Sequence, residues 1–301
     1  MKDTILKIID VIEECQKERN IVICGPRLKD EKEPSTQLRV YSYGGLIAEF
    51  GIGKTQKFTA SLLEKEYLDQ LEQKEKEKIE AFRGEKERVK VLLNKEYWML
   101  ASKAAQRRYS MSDSNGNVLE DKERNVESKI LQKYMRREEN DWIIFDMEFF
   151  SPKEGKWACI DGKPDLVCFD GERFGVIELK YNNKSCSNLK KHYKDLMTIV
   201  ENPEIFSEEM ARRMKVCFDS GDGAVISKEM YEKMEKSKES KVLKEVWFGF
   251  LFVGGKAEQS KNIIKDKLGE LEQANGNKAR YMIVDQIEDI SRWQWGSYSD
   301  L

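Results

Sequence analysis

Residues 162–183, GKPDLVCFDGERFGVIELKYNN, hold two short apolar runs joined by a turn sequence, and each run carries carboxylates where a packed core would prefer none. Asp170 and Gly171 let the two runs pair antiparallel. Successive side chains alternate across a sheet, so Val176, Glu178 and Lys180 share one face of the second run while Ile177 and Leu179 take the other. On the first run Asp165, Val167 and Phe169 share a face. In-register pairing then sets Asp165 near Glu178 and Lys180. Two acids and one lysine converging on an apolar sheet are costly unless something positive stands between the acids. Lys180 supplies one charge, and a divalent cation with oxygen ligands would supply the rest.

A chain of 301 residues can bury a sizeable core, in one large domain or two smaller ones. Its first 20 residues, MKDTILKIIDVIEECQKERN, read as an amphipathic helix charged throughout, which is neither a signal peptide nor a membrane span. No later run is apolar enough to span a bilayer. The six cysteines are scattered without a CxxC pair, and several sit in apolar runs, a pattern expected of reduced thiols in a cytoplasmic protein. With 53 basic against 55 acidic residues, any basic footprint for nucleic acid must be local. His192 is the single histidine, which leaves little for histidine-rich zinc chemistry or a Ser-His-Asp triad.

Along the chain, residues 1–19 are expected to be helical, IVIC a short strand, and QLRVYSYGGLIAEFGI a hairpin turning at Gly44 and Gly45. From about Ala60 to Tyr109 the charge-rich pattern predicts helices, with a break at Gly84 and a solvated surface that could serve oligomerisation. GIGKT at 51–55 shares its ending with a phosphate-binding loop. That pattern requires a glycine five places before Gly53, where Ala48 stands, so this is read as a plain loop. The polar, turn-rich residues 110–125 are the expected boundary between a domain of residues 1–115, an α+β region with long charged helices, and a domain of residues 116–301. The second half reads as α-β-β-β-α-β-α-β: a helix over Val126 to Glu139, a strand around WIIFDMEFF, the two runs above, a helix from about Ser187 to Val200, the strand VWFGFLFV, a helix and the strand RYMIVDQI. This order predicts an α/β mixed sheet flanked by helices.

On the helix opening that block, Val126, Ile130, Leu131, Tyr134 and Met135 form an apolar arc with Glu127 near its middle. Together with Pro164 and Asp165, then Glu178, Leu179 and Lys180, the arrangement resembles the PD-(D/E)xK nuclease superfamily, nearest in pattern to its Holliday-junction-resolvase branch. The resemblance covers about residues 120–290. It implies a restriction-endonuclease-like fold and a metal-dependent nuclease acting on nucleic acid, with DNA the expected polymer and no membrane partner. By that resemblance Asp165, Glu178 and the Leu179 carbonyl would bind Mg²⁺, with Mn²⁺ as an alternative. Glu127 would hold a metal or its water, and Lys180 would orient or help deprotonate the attacking water. Phosphodiester hydrolysis suits such a site because an oxygen-ligated divalent ion neutralises charge on a scissile phosphate and activates water.

Glu148, in the strand before the motif, competes with Glu127 as the third acid. On the helix after the motif, Leu189, Tyr193, Leu196, Met197 and Val200 make the apolar face, and Lys190, Lys191 and Lys194 lie opposite, where they would be solvated or would touch phosphate. Asn188 and His192 flank the apolar arc at the place where some members of the superfamily carry a glutamine and tyrosine. His192 is read as an edge histidine or a nucleic-acid contact. The alternative to a nuclease is a non-catalytic nucleic-acid-binding or assembly subunit that keeps the fold.

Overall fold

Ile5, Ile8, Ile9 and Ile12 recur at the spacing of one helical face, and that face is buried along α1 (Lys2–Gln16). In the computed structural model, residues 1–26, 36–53, 55–112, 118–135, 142–147, 149, 155–182, 188–239, 245–255, 261–275, 279–290 and 295–296 are described, with side chains at all of these except 111–112, 118–121, 239 and 274–275. They form two compact units: Met1–Arg27, Glu33–Arg136 and Arg213–Lys228 make the first, and Leu28–Lys32, Arg137–Arg212 and Glu229–Leu301 the second.

The first unit is built on an antiparallel sheet in the order β1 (Ile21–Cys24), β2 (Leu38–Ser42), β3 (Gly45–Ile52), β4 (Phe58–Leu62). Between β2 and β3 the turn residues are Tyr43 and Gly44, with φ of 47° and 83°. Two consecutive positive φ values give the type I′ geometry that matches strand twist. The turn therefore falls one residue earlier than the Gly44–Gly45 expectation, and Gly45 is already paired with Ser42.

The helical expectation from Ala60 is corrected: Ala60, Ser61 and Leu62 belong to β4, whose backbone pairs with β3. Local charge pattern lost there to ladder hydrogen bonding along a sheet edge. A 3₁₀ turn (Lys65–Gln70), α2 (Gln73–Gly84), α3 (Arg88–Leu92) and α4 (Lys95–Arg108) follow, and α2 ends at Gly84 as its sequence implied. α4 packs on β2 and β3, and Tyr97, Trp98, Ala101, Ala104 and Ala105 are buried along it. Tyr97 secures it: its hydroxyl donates to the Ile47 carbonyl (2.6 Å) and accepts from the Leu63 N–H (3.0 Å). Residues 110–112 and 118–121, read as boundary loop, pair as the ribbon β5 (Ser110–Ser112) and β6 (Val118–Asp121). After it, α5 (Glu123–Tyr134) packs on β1 and β2.

The second unit is a mixed five-stranded sheet in the order β11-β10-β9-β8-β7. β7 (Ile143–Met147), β8 (Leu166–Phe169) and β9 (Phe174–Tyr181) run antiparallel, and β9, β10 (Val246–Val253) and β11 (Arg280–Val284) run parallel. Parallel neighbours need long crossovers, supplied by α6 (Leu189–Val200), α7 (Pro203–Gly221) and α8 (Lys228–Glu239) before β10, and by α9 (Lys261–Asn275) before β11. Every residue of β10 is buried, as its unbroken apolar run requires of a strand with parallel partners on both sides. The expected α/β class with a mixed sheet flanked by helices is what forms. Among the described residues no helix is long and apolar enough to cross a membrane. Cys15, Cys24, Cys168 and Cys217 are buried free thiols, and burial pushes the Cys168 thiol well above its ordinary range.

Candidate functional site

The β8–β9 hairpin is closed by its own acid. Asp170 Oδ1 accepts from the N–H groups of Glu172 (3.1 Å) and Arg173 (2.7 Å), and Gly171 takes φ of 90°. A tight turn allows one register, with Leu166 opposite Ile177 and Val167 opposite Val176. One step further along the same register, Asp165 falls opposite Glu178. A slip of one residue would have turned Glu178 to the other face.

The site is centred on the backbone of Leu179. Asp165 Oδ2 accepts from the Leu179 N–H at 2.7 Å, while Lys180 Nζ donates to the Leu179 carbonyl at 2.9 Å. Lys180 Nζ also donates to Glu178 Oε1 at 2.7 Å. His192 Nδ1 stands 2.7 Å from that same oxygen. Glu178 and Lys180 are 3% and 5% exposed, so this ion pair lies almost wholly out of water, while the His192 side chain keeps 31% of its exposure. Removing water raises the cost of an unpaired charge and strengthens a paired one.

α6 delivers His192. Asn188 precedes the helix in the left-handed region, with φ of 67°, and the His192 N–H closes the first turn on the Asn188 carbonyl (2.9 Å). The next residue, Tyr193, is held against β10, edge-on to Phe248 and stacked on Phe250. Phe250 pairs with Glu178 in the parallel register. Anchoring Tyr193 on that row therefore fixes its neighbour His192 beside Glu178. Sequence reasoning put His192 on a helix edge but had no means of telling which strand that edge faces. Lys190, Lys191 and Lys194 are exposed on the outer surface of α6, and Asn188 is exposed at its start.

Other acids stand as follows. Glu127 is 3% exposed on α5 and belongs to the first unit, whereas Asp165, Glu178, Leu179, Lys180 and His192 belong to the second. Glu148 lies outside the described residues. Asp146 on β7 is fully buried, pairs opposite Val167 beside a bulge, and accepts from the Met147 N–H at 2.9 Å. The period-two pattern of WIIFDMEFF gave no sign of that bulge, which shifts the phase of the strand.

A divalent cation can be tested against the donors present. Glu178 Oε1 and the Leu179 carbonyl, both hard oxygen donors of the kind Mg²⁺ takes, already hold a cation, the Lys180 ammonium. That ammonium is a stand-in for positive charge at the place where the donor chemistry fits a metal. Among the described residues no three His, Cys, Asp or Glu side chains form a ready metal cage, so such an ion would draw on backbone and water oxygens as well. Comparison with protein-family models, with curated proteins and with solved structures finds no match to this chain.

Proposed function

We propose that this protein is a metal-dependent nuclease of the PD-(D/E)xK kind, with the restriction-endonuclease-like fold, hydrolysing phosphodiester bonds in nucleic acid, and that DNA is its substrate class. One observation carries the reading: Asp165 Oδ2 accepts from the Leu179 N–H, next in the strand to Glu178, and the Lys180 ammonium rests on the oxygens of Glu178 and Leu179. The strand arrangement supports it, since an antiparallel meander passing into parallel strands sets this constellation at one end of the sheet.

In this reading Asp165, Glu178 and the Leu179 carbonyl hold Mg²⁺ or Mn²⁺. The ion, when bound, supplies charge neutralisation on the phosphate and an activated water. The chain's own residues do the rest. Asp165 anchors Leu179 by its N–H, and the Leu179 carbonyl accepts from Lys180. Lys180, released from Glu178, offers its ammonium to the attacking water or to a phosphate oxygen. The exposed Lys190, Lys191 and Lys194 provide phosphate contacts near the site.

A second reading is favoured by one detail, the closed Lys180–Glu178 contact: the acids and the lysine would then serve only to neutralise one another. The two separate cleanly. Linear, circular, single-stranded and branched DNA and RNA incubated with the protein and Mg²⁺ or Mn²⁺ should be cut by the wild type and not by Asp165→Ala. Equal products from both proteins would sink the nuclease reading, and calorimetry showing no divalent binding would favour the ion-pair reading.

A further inference from the structure

His192 is the single histidine of this chain, and its Nδ1 stands at the Glu178 oxygen that also accepts from Lys180. Resting on the nuclease reading, we infer that His192 is a metal-selecting donor, which makes the site a better host for a borderline divalent cation of the Mn²⁺ class than for Mg²⁺. The geometry supplies the reason. His192 Nδ1 and Lys180 Nζ each lie 2.7 Å from Glu178 Oε1. A cation taking the ammonium's place on Glu178 and the Leu179 carbonyl would have an imidazole nitrogen beside its carboxylate ligand.

The chemistry of the donors then decides between ions. Carboxylate and carbonyl oxygens suit both Mg²⁺ and Mn²⁺, but imidazole suits the transition ions and not Mg²⁺, which demands a near-octahedral oxygen shell and releases water reluctantly. Placement is not accidental to the helix. The Tyr193 ring, 2% exposed and stacked 6.2 Å from Phe250, keeps α6 from rotating, so His192 stays over the Glu178 row instead of drifting into solvent. At 31% exposure the ring keeps room to turn toward an ion. Lys190, Lys191 and Lys194 are exposed on the same helix and offer no competing donor, because an ammonium cannot ligate.

The test uses the full chain, metal-free, titrated calorimetrically with MnCl₂ and separately with MgCl₂, for wild type, His192→Gln and His192→Ala. Wild type should bind Mn²⁺ more tightly than Mg²⁺ by about tenfold or more, the scale on which a single supporting residue alters metal affinity. Both variants should lose that preference while keeping Mg²⁺ affinity, and the pulsed electron-spin signal of bound Mn²⁺ should show ¹⁴N coupling in wild type that vanishes in both. Two variants guard against a folding defect, since His192→Gln keeps a hydrogen-bonding group beside Glu178. If Mn²⁺ and Mg²⁺ bind and Asp165-dependent cleavage persists, but the Mn²⁺ preference and the ¹⁴N coupling are the same with and without His192, the inference is overturned and the nuclease reading stands. If wild type binds neither ion, both are overturned.

Discussion

Lys180 is 5% exposed, and its ammonium donates to two oxygens of the site itself, one on Glu178 and one on the Leu179 carbonyl. Breaking a buried pair by deleting one partner is more costly than the pair is stabilising, because the survivor keeps its charge out of water. Lys180→Ala is therefore expected to lower metal-free stability by about 3 kcal/mol, readable by urea unfolding, and to regain much of it on adding divalent ion, which takes over the neutralisation of Glu178. The same variant should still bind metal yet cleave roughly 10²–10⁴-fold more slowly, the scale of losing a positioned acid-base group. Asp165→Ala should lose metal binding and cleavage together. A Lys180→Ala protein that cleaves at the wild-type rate would remove Lys180 from the chemistry.

Among the elements, the β2–β3 turn and the start of α2 are the sharpest tests of local design. Gly44 has φ of 83°, and a Cβ there would lie 2.4 Å from the Arg124 carbonyl oxygen, so no side chain fits. Gly44→Ala should cost at least about 2 kcal/mol from backbone strain and the collision, measured as a shift in denaturation midpoint with unchanged slope. At α2, Glu75 accepts from the Glu72 N–H at 3.2 Å and from Lys103 Nζ at 2.5 Å. Partial burial pushes its carboxyl up, but the Lys103 hydrogen bond, the Glu72 N–H and the charges of Lys103 and Arg107 outweigh that and hold it below its ordinary value. A carboxyl depressed in the folded state contributes stability that is present above its unfolded value, about 4.3, and is lost as pH falls through the folded value. Glu75→Gln should thus be less stable than wild type near neutrality and equal to it in strong acid. A stability difference that persists unchanged at about pH 2 would show that the loss has another origin.

On the scale of the molecule, the first unit is discontinuous: its core is completed by Arg213–Lys228, which arrive after about half of the second unit's chain. That segment brings Met214, Cys217, Val225 and Ile226, all buried, and Gly221 sits so close to Val225 that a Cβ would crowd it. Each large apolar side chain so buried stabilises by about 1.5–3 kcal/mol, and removing several at once exceeds the margin of a typical domain. A fragment of residues 1–136 should therefore fail to fold cooperatively. The same fragment supplied with residues 203–228 as a peptide should regain helical and near-ultraviolet circular dichroism. Cooperative unfolding by the fragment alone, at the wild-type midpoint, would contradict this.

The hairpin of Leu166–Tyr181 was legible in the sequence, with its turn and its alternation, because period-two patterning and a short turn allow one register. The mixed sheet was legible too, since the order of helical and strand runs in the second half is that of a mixed sheet flanked by helices. Three things were decided by tertiary structure. Ala60–Leu62 joined a sheet edge because β3 offered backbone partners that no local propensity records. Arg213–Lys228 joined the first unit through contacts far away in sequence. His192 came to Glu178 because Tyr193 found its place on Phe248 and Phe250, and the rotation of a helix about its axis is set by what it packs against, which a sequence pattern leaves open to within an edge.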